Sequence, residues 1–387
     1  MSDLQLLFLV LAVLYGWECA CWINRGSVAF RSWWGRRWQV AHPGALLGNQ
    51  RGGFVLTNPF PPLGTLFTAT QSPLSLSPEA VLAYVATGIN PVGRAVQNGT
   101  CFPWSEIRRI ETRGKKVLLN GELLLQAPSP GFAAMMAQTL RQASEVARAD
   151  REKLIRETLN QGFDTSRIAQ QREEFKTRTS NLRFVTNALF IYLFIVSPLV
   201  IWRFGFHQCW PLLLAALLVL TCTTAILFRR AHKIFYPAAE DDRFTHFVII
   251  LLSPVTAIRA CDVLSRPLFE AYHPLAMARV FCPTEAFKAL ARRYWRELLY
   301  PALPLCPRED PVALETERYS RAILQDAAGR FLKLSGIDTD ALIQPPPAAD
   351  DSCLSYCPRC LAQFTTCEGT CADCGGLALS PLLSAGR

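Results

Sequence analysis

Charge and histidine are scarce in this chain of 387 residues: 18% are Asp, Glu, Lys or Arg, and five are histidine. So low a charge density, with half of the residues hydrophobic, excludes a disordered chain or a nucleic-acid-binding tail. The histidines (His42, His207, His232, His246, His273) stand apart, and the chain has no HExxH, GxSxG, Walker or dinucleotide-binding sequence. These gaps remove the common signatures of metalloprotease, serine-hydrolase, nucleotide and hydride chemistry. No tandem repeat is visible either. What is present is a net charge of +9, from 40 Lys+Arg against 31 Asp+Glu, and apolar residues gathered into runs.

Two runs carry no charge: residues 184–202 (FVTNALFIYLFIVSPLVIW) and 210–228 (WPLLLAALLVLTCTTAILF). Each, as a helix rising ~1.5 Å per residue, is about 28 Å long and matches a hydrocarbon core of roughly 30 Å. Joined by RFGFHQC, they read as a transmembrane hairpin. Residues 4–23 form a third apolar run, interrupted by Glu18. Its MSD start and WECACWIN exit suit a retained anchor rather than a cleaved signal peptide. Lys and Arg flank the cytoplasmic ends of spans. Arg25, Arg31, Arg36 and Arg37 follow the first run; Arg172, Lys176, Arg178 and Arg183 precede the hairpin; Arg229, Arg230 and Lys233 follow it. All three stretches are expected in the cytoplasm, and the hairpin loop and N-terminus outside. Residues 244–264 are apolar for about four turns and then carry Arg259 and Asp262. They read as a re-entrant or interfacial helix, with a fourth span as the alternative, because a crossing would put the basic tail outside. Arg259 and Asp262 lie three apart on a helix and are candidates for function at membrane depth, or else a snorkelling pair at the bilayer edge.

Between the anchors, residues 25–147 show short β-like runs separated by turn residues, which indicates an α+β domain with an antiparallel sheet. Asn120-Gly121 between residues 117–119 and 122–125 predicts a hairpin with a type I′ turn. After Pro128, Phe132, Met135, Met136, Leu140 and Ala143 are spaced along one helical face. WSEIRRIETRGKKVLLNGELLL, followed by that helix, resembles the bacterial pleckstrin-homology-like domains. The resemblance covers about residues 70–147 and implies a bent antiparallel barrel capped by a helix, a protein or lipid interaction module. Arg108, Arg109, Lys115 and Lys116, with Arg113, form a basic run suited to lipid headgroups beside an anionic leaflet, or alternatively a solvated hairpin face. Residues 148–183 read as a charged helical connector broken near Gly162, residues 265–343 as a helical segment, and residues 344–352 (QPPPAADDS) as a stiff proline-rich linker.

Among the fourteen cysteines, Cys357-Pro-Arg-Cys360 and Cys371-Ala-Asp-Cys374 form two CxxC pairs. Two such knuckles can set four thiolates tetrahedrally about one Zn²⁺ at ~2.3 Å, with no open position, so the metal would be structural. Cys353 and Cys367 are an alternative ligand source or, in an oxidising compartment, a disulfide pair. The segment 353–380, with Phe364 and glycines 375 and 376, resembles a zinc ribbon. A ribbon this small depends on its metal for folding, and thiolate ligation suits the reducing side of a membrane.

The fold expected is therefore α-helical membrane protein, with three spans plus a re-entrant or fourth helix, a cytoplasmic α+β domain and a C-terminal ribbon. The function expected is a non-enzymatic membrane scaffold or adaptor, engaging the lipid bilayer and a protein partner at the cytoplasmic face; the resemblance to the bacterial domains, with the retained anchor, implies a bacterial inner membrane. Nucleic acid is not expected as a partner, since Arg359 is the ribbon's one cation. The rival is a membrane-embedded enzyme or transporter subunit using Arg259, Asp262 and the helical pair Glu270 and His273; so few spans would need oligomerisation to build a path.

Overall fold

The computed structural model describes residues 5–14, 27–31, 38–41, 53–54, 67–69, 74–89, 95–126, 130–237, 240–269, 271–281, 284–300 and 310–382. Helix α1 (Gln5–Leu14) is ten residues and so about 15 Å long. The rest of the expected N-terminal anchor, residues 15–23, lies outside the described residues. Strands β1 (Ser27–Arg31), β2 (Trp38–Ala41), β3 (Gly53–Phe54) and β4 (Phe67–Ala69) form an antiparallel sheet in the order β2-β1-β4-β3.

Two further antiparallel sheets follow: β5 (Leu74–Leu76), β6 (Ala80–Ile89) and β7 (Ala95–Pro103), then β8 (Ile110–Arg113), β9 (Lys116–Leu119) and β10 (Glu122–Gln126). The β9–β10 turn is made by Asn120 (φ 52°) and Gly121 (φ 90°), the left-handed pair that an Asn-Gly dipeptide adopts readily. The Asn120 amide also folds back, accepting from the backbone N–H of Arg108 and Arg109 and donating to the Glu106 carbonyl. In β10 the register slips between Leu123 and Leu125. That bulge lets Leu124 and Leu125 both turn inward while Leu123 faces solvent.

Helix α2 (Pro130–Glu145) closes this core with Ala133, Ala137, Leu140 and Ala143. The buried face is narrower in side chain than the sequence suggested. Met135 is exposed, and Phe132 and Met136 are only partly covered. Alanines at i, i+4 and i+10 let the helix backbone approach Val117 and Leu119 of β9 closely, so the bulky residues are pushed to the rim.

The charged connector is two helices, α3 (Arg148–Gln161) and α4 (Thr165–Arg178), broken at Gly162; Asp164 caps the second by accepting from the Arg167 N–H. It leads into α5 (Ser180–Phe204, 25 residues) and α6 (Phe206–Phe235, 30 residues), which among the described residues are the two helices long and apolar enough to cross a membrane. The expected seven-residue link is a single turn residue, Gly205 at φ 79°. The flanking residues stay helical because glycine alone tolerates the reversal. Inside α5 the turn at Tyr192–Val196 widens to a π-helix just ahead of Pro198, whose missing N–H breaks the regular ladder. The Tyr192 hydroxyl donates to the Leu213 carbonyl and ties the two helices together. Large apolar side chains such as Leu212 (76% exposed) and Val219 (64%) face outward, as lipid contact requires.

The sequence's single helix over residues 244–264 is broken into three: α7 (Glu240–Leu252), α8 (Pro254–Ile258) and α9 (Ala260–Phe269). Pro254 cannot continue the ladder, and the Ser253 hydroxyl caps α8 by accepting from the Thr256 N–H. Thirteen residues make α7 about 20 Å long, short of the hydrocarbon thickness, so no unbroken fourth span exists here. Ile250, Val255, Ala257, Ile258, Cys261 and Leu264 pack with Leu182, Leu189, Ala225 and Phe228 of the hairpin.

Helices α10 (Pro274–Phe281), α11 (Thr284–Leu299), α12 (Pro311–Leu334) and α13 (Thr339–Ile343) build a third core around Phe287, Leu290, Trp295, Phe331 and Leu332. Helix α12 also lies on the β5–β6–β7 sheet: Ala313 buries against Leu82, and the Ser77 and Thr316 hydroxyls meet at 3.0 Å. The sheet is thereby covered on both faces. The α2 assignment is checked by paired variants: Ala137→Leu, which overfills the core, is expected to destabilise by about 1–3 kcal/mol, whereas Met135→Ala should change stability by less than about 0.5 kcal/mol, both read from urea denaturation in detergent.

Candidate metal centre

Residues 353–382 fold around two turns of similar design. Strand β11 (Ser355–Tyr356) delivers Cys357, and the chain reverses so that the Leu361 N–H donates to the Cys357 carbonyl and the Cys357 N–H donates to that of Ala362. Strand β12 (Gln363–Phe364) then pairs back on β11. Strand β13 (Thr370–Cys371), a 3₁₀ turn over Ala372–Cys374 and strand β14 (Leu377–Ala378) form the second turn, closed by the Gly376 N–H on the Cys371 carbonyl. Strand β15 (Ser380–Pro381) returns to the free edge of β11. The residue after each turn is left-handed: Gly375 at φ 74° in the second and Leu361 at φ 63° in the first. A leucine there bears a strain that glycine would not.

These turns bring the Sγ atoms of Cys357, Cys360, Cys371 and Cys374 within 4.8 Å of one another, with Cys360 Sγ 3.8 Å from Cys371 Sγ. Four ligands at ~2.3 Å in a tetrahedron stand about 3.8 Å apart, whereas a disulfide needs ~2.05 Å. None of the four forms a disulfide, and Cys357, Cys371 and Cys374 are buried under Phe364, Leu377 and Leu379. A hydrogen bond from Cys374 holds the Cys360 thiol down to about 5. Burial pushes Cys371 up to about 11, and the bond to Cys360 raises Cys374 further. Four crowded sulfurs therefore cannot all carry charge on their own, and a bound cation would supply the compensation. The group can hold a metal ion. Cys353 stands apart, its thiol donating to the Asp350 carboxylate at 3.5 Å, and neither it nor Cys367 joins the four.

The linker expected to be a stiff spacer is held down at both ends. Gln363 accepts from the Ala349 N–H and donates to the Pro347 carbonyl. Arg296 of α11 is 1% exposed; its Nε donates to Leu342 O (2.8 Å), Nη1 to Pro358 O (2.7 Å) and Nη2 to Gln344 O (2.5 Å). Pro358 is inside the first knuckle. Sequence reasoning missed this residue, because an arginine in ARRYWRE reads as a solvated face.

The other candidate residues are arranged differently. Arg259 Nε meets Asp262 Oδ2 at 2.8 Å with both side chains wholly buried, in a closed ion pair among α5, α6 and α8. His273 is half-buried: its Nε2 meets the Tyr294 hydroxyl at 2.8 Å, its Nδ1 accepts from the Leu275 N–H, and its ring stacks on Phe163. Desolvation pulls it down to about 3, so it is a neutral packing group. Glu270 lies outside the described residues. The basic run is split, with Arg108 and Arg109 at the Asn120 end of the β8–β9 hairpin and Lys115 and Lys116 at the opposite end. Glu111 between them pairs with Arg109 and Arg113.

Two outcomes follow. Metal uptake must strip protons from Cys371 and Cys374, whose thiols are raised, so Co²⁺ affinity should weaken as pH falls from 8 to 6, read from the thiolate-to-cobalt absorption. Removing one member of the buried pair, as in Arg259→Leu, should destabilise by about 3–5 kcal/mol, while Arg259→Met with Asp262→Leu should restore most of that, measured by thermal unfolding in detergent. Comparison with protein-family models, with curated proteins and with solved structures finds no match to this chain.

Proposed function

We propose that this chain is a non-enzymatic membrane scaffold or adaptor whose hairpin fixes a folded body and a structural zinc ribbon at the cytoplasmic face of a bacterial inner membrane. The four-sulfur group carries the reading. A site closed by four thiolates leaves no position for substrate or water, so its metal shapes a surface and does not perform a reaction. Thiol ligands persist on the reducing side. Exposed Arg183, Arg229, Arg230 and Lys233 stand at that same end of the hairpin, against Arg203 at the turn, which supports the same orientation. In it the N-terminus lies outside, α1 begins a third anchor, and α7–α9 dip in and return as a re-entrant element.

Two three-stranded antiparallel sheets capped by α2 support the pleckstrin-homology-like reading of residues 70–147, and with it a protein-interaction role. The split of the basic run favours a protein over lipid headgroups as the partner of that module. The ribbon's single cation, Arg359, argues against nucleic acid. The enzyme or transporter reading rests on Arg259, Asp262 and His273, but Arg259 and Asp262 pair with each other in a buried setting, while His273 is held separately by Tyr294 and the Leu275 N–H.

The test is crosslinking in native membranes. Cys357→Ser with Cys371→Ser should drop bound zinc from one equivalent to none and abolish recovery of the partner, while the pair Arg259→Met with Asp262→Leu should leave recovery intact. Undiminished recovery from the cysteine variant would overturn the adaptor reading.

A further inference from the structure

A guanidinium as deeply buried as that of Arg296 is costly to desolvate unless its N–H groups are all directed at acceptors. Here the acceptors come from three chain segments: the end of α13 (Leu342), the start of the linker (Gln344) and the first knuckle (Pro358). Its own helix is anchored by Phe287, Leu290, Ala291 and Trp295, which are buried in the third core. The knuckle is thus referenced to the helical body through one planar, fixed-geometry group.

Pro358 sits between the ligands Cys357 and Cys360, and the peptide that follows it is trans. In a planar trans peptide the carbonyl and the next N–H point in opposite directions. Holding the Pro358 carbonyl out toward α11 therefore turns the Arg359 N–H away from α11 and into the turn that carries the two sulfurs. The bond that seats the ribbon also sets the orientation of a ligand-bearing peptide.

We propose that Arg296 is a positioning residue for the four-sulfur site, so that metal loading and seating of the ribbon on α11 are one coupled event. This rests on the reading of the four cysteines as a metal site. Coupling is reciprocal: if the seated ribbon binds metal more tightly, metal must seat the ribbon more firmly by the same factor. Metal loss then releases the linker and exposes the face of α11 now under the knuckle.

The experiment uses the full chain in detergent, with Co²⁺ as the probe and protease cleavage within residues 344–352 as the reporter of seating. In the unsubstituted chain the linker should be protected when loaded and cleaved at least tenfold faster after chelation. Arg296→Gln should still give the four-thiolate cobalt spectrum, bind Co²⁺ about tenfold more weakly, and show fast cleavage even when loaded. Arg296→Lys, which keeps the charge and the aliphatic stem but loses the fork, should fall between the two; it carries the test if the glutamine variant does not fold. Unchanged Co²⁺ affinity in both variants would overturn the coupling and leave Arg296 a mere fastener. Linker protection that ignores chelation would overturn it equally. An unsubstituted chain that gives no cobalt–thiolate absorption sinks the metal reading and the coupling with it, an outcome told apart from a failed Arg296 link by that missing band.

Discussion

Every helix end leaves carbonyl groups with no partner in its own last turn, and a chain that packs so many helices against sheets must satisfy those groups where water does not reach. Arginine does this repeatedly here. Arg151 donates to the carbonyls of Ala143 and Val146 at the end of α2 and to Pro78 across the sheet, while its guanidinium lies over the Trp104 ring. Arg172 reaches Val280 near the end of α10 and lies over Phe281. Arg296 does the same for α13 and then for the ribbon. A positive group at the carbonyl end of a helix is favourable on electrostatic grounds as well. The same contact recurs at the joints between sheet, connector, helical body and ribbon.

These links explain why the segments are less independent than their composition implies. Prolines 345–347 look like a spacer between a helical domain and a small tail, but Gln363 and Arg296 grip the backbone on both sides of them. Likewise α12, more than two hundred residues beyond β5 in sequence, covers the outer side of that strand's sheet. The body beneath the hairpin is one interlocked set of layers.

What could be read from the sequence was what is local or repetitive. An uncharged run of nineteen residues declares its helix by composition; Asn120-Gly121 declares its turn through the φ angles those residues tolerate; two CxxC pairs declare a four-sulfur cluster through ligand spacing. What stayed hidden depends on distant partners. The core face of α2 is written in alanines, which carry almost no periodic signal, so Met135 and Phe132 drew attention instead. The break after Leu252 sits at Pro254, and a proline alone does not tell a kink from a full stop. Leu361 occupies a conformation usually left to glycine, and only the closure of the knuckle reveals it. Arg296 looks like any surface arginine until three segments converge on it.

The turn at Gly205 has a mechanical consequence. One residue between two helices leaves no slack, and the Tyr192 to Leu213 bond pins them a few turns below the apex. The pair cannot slide lengthwise past one another as pistons do. Any displacement at its apex must arrive at the other end as a tilt of the whole rod, with α4 and the layers around α7–α9 as the lever it turns.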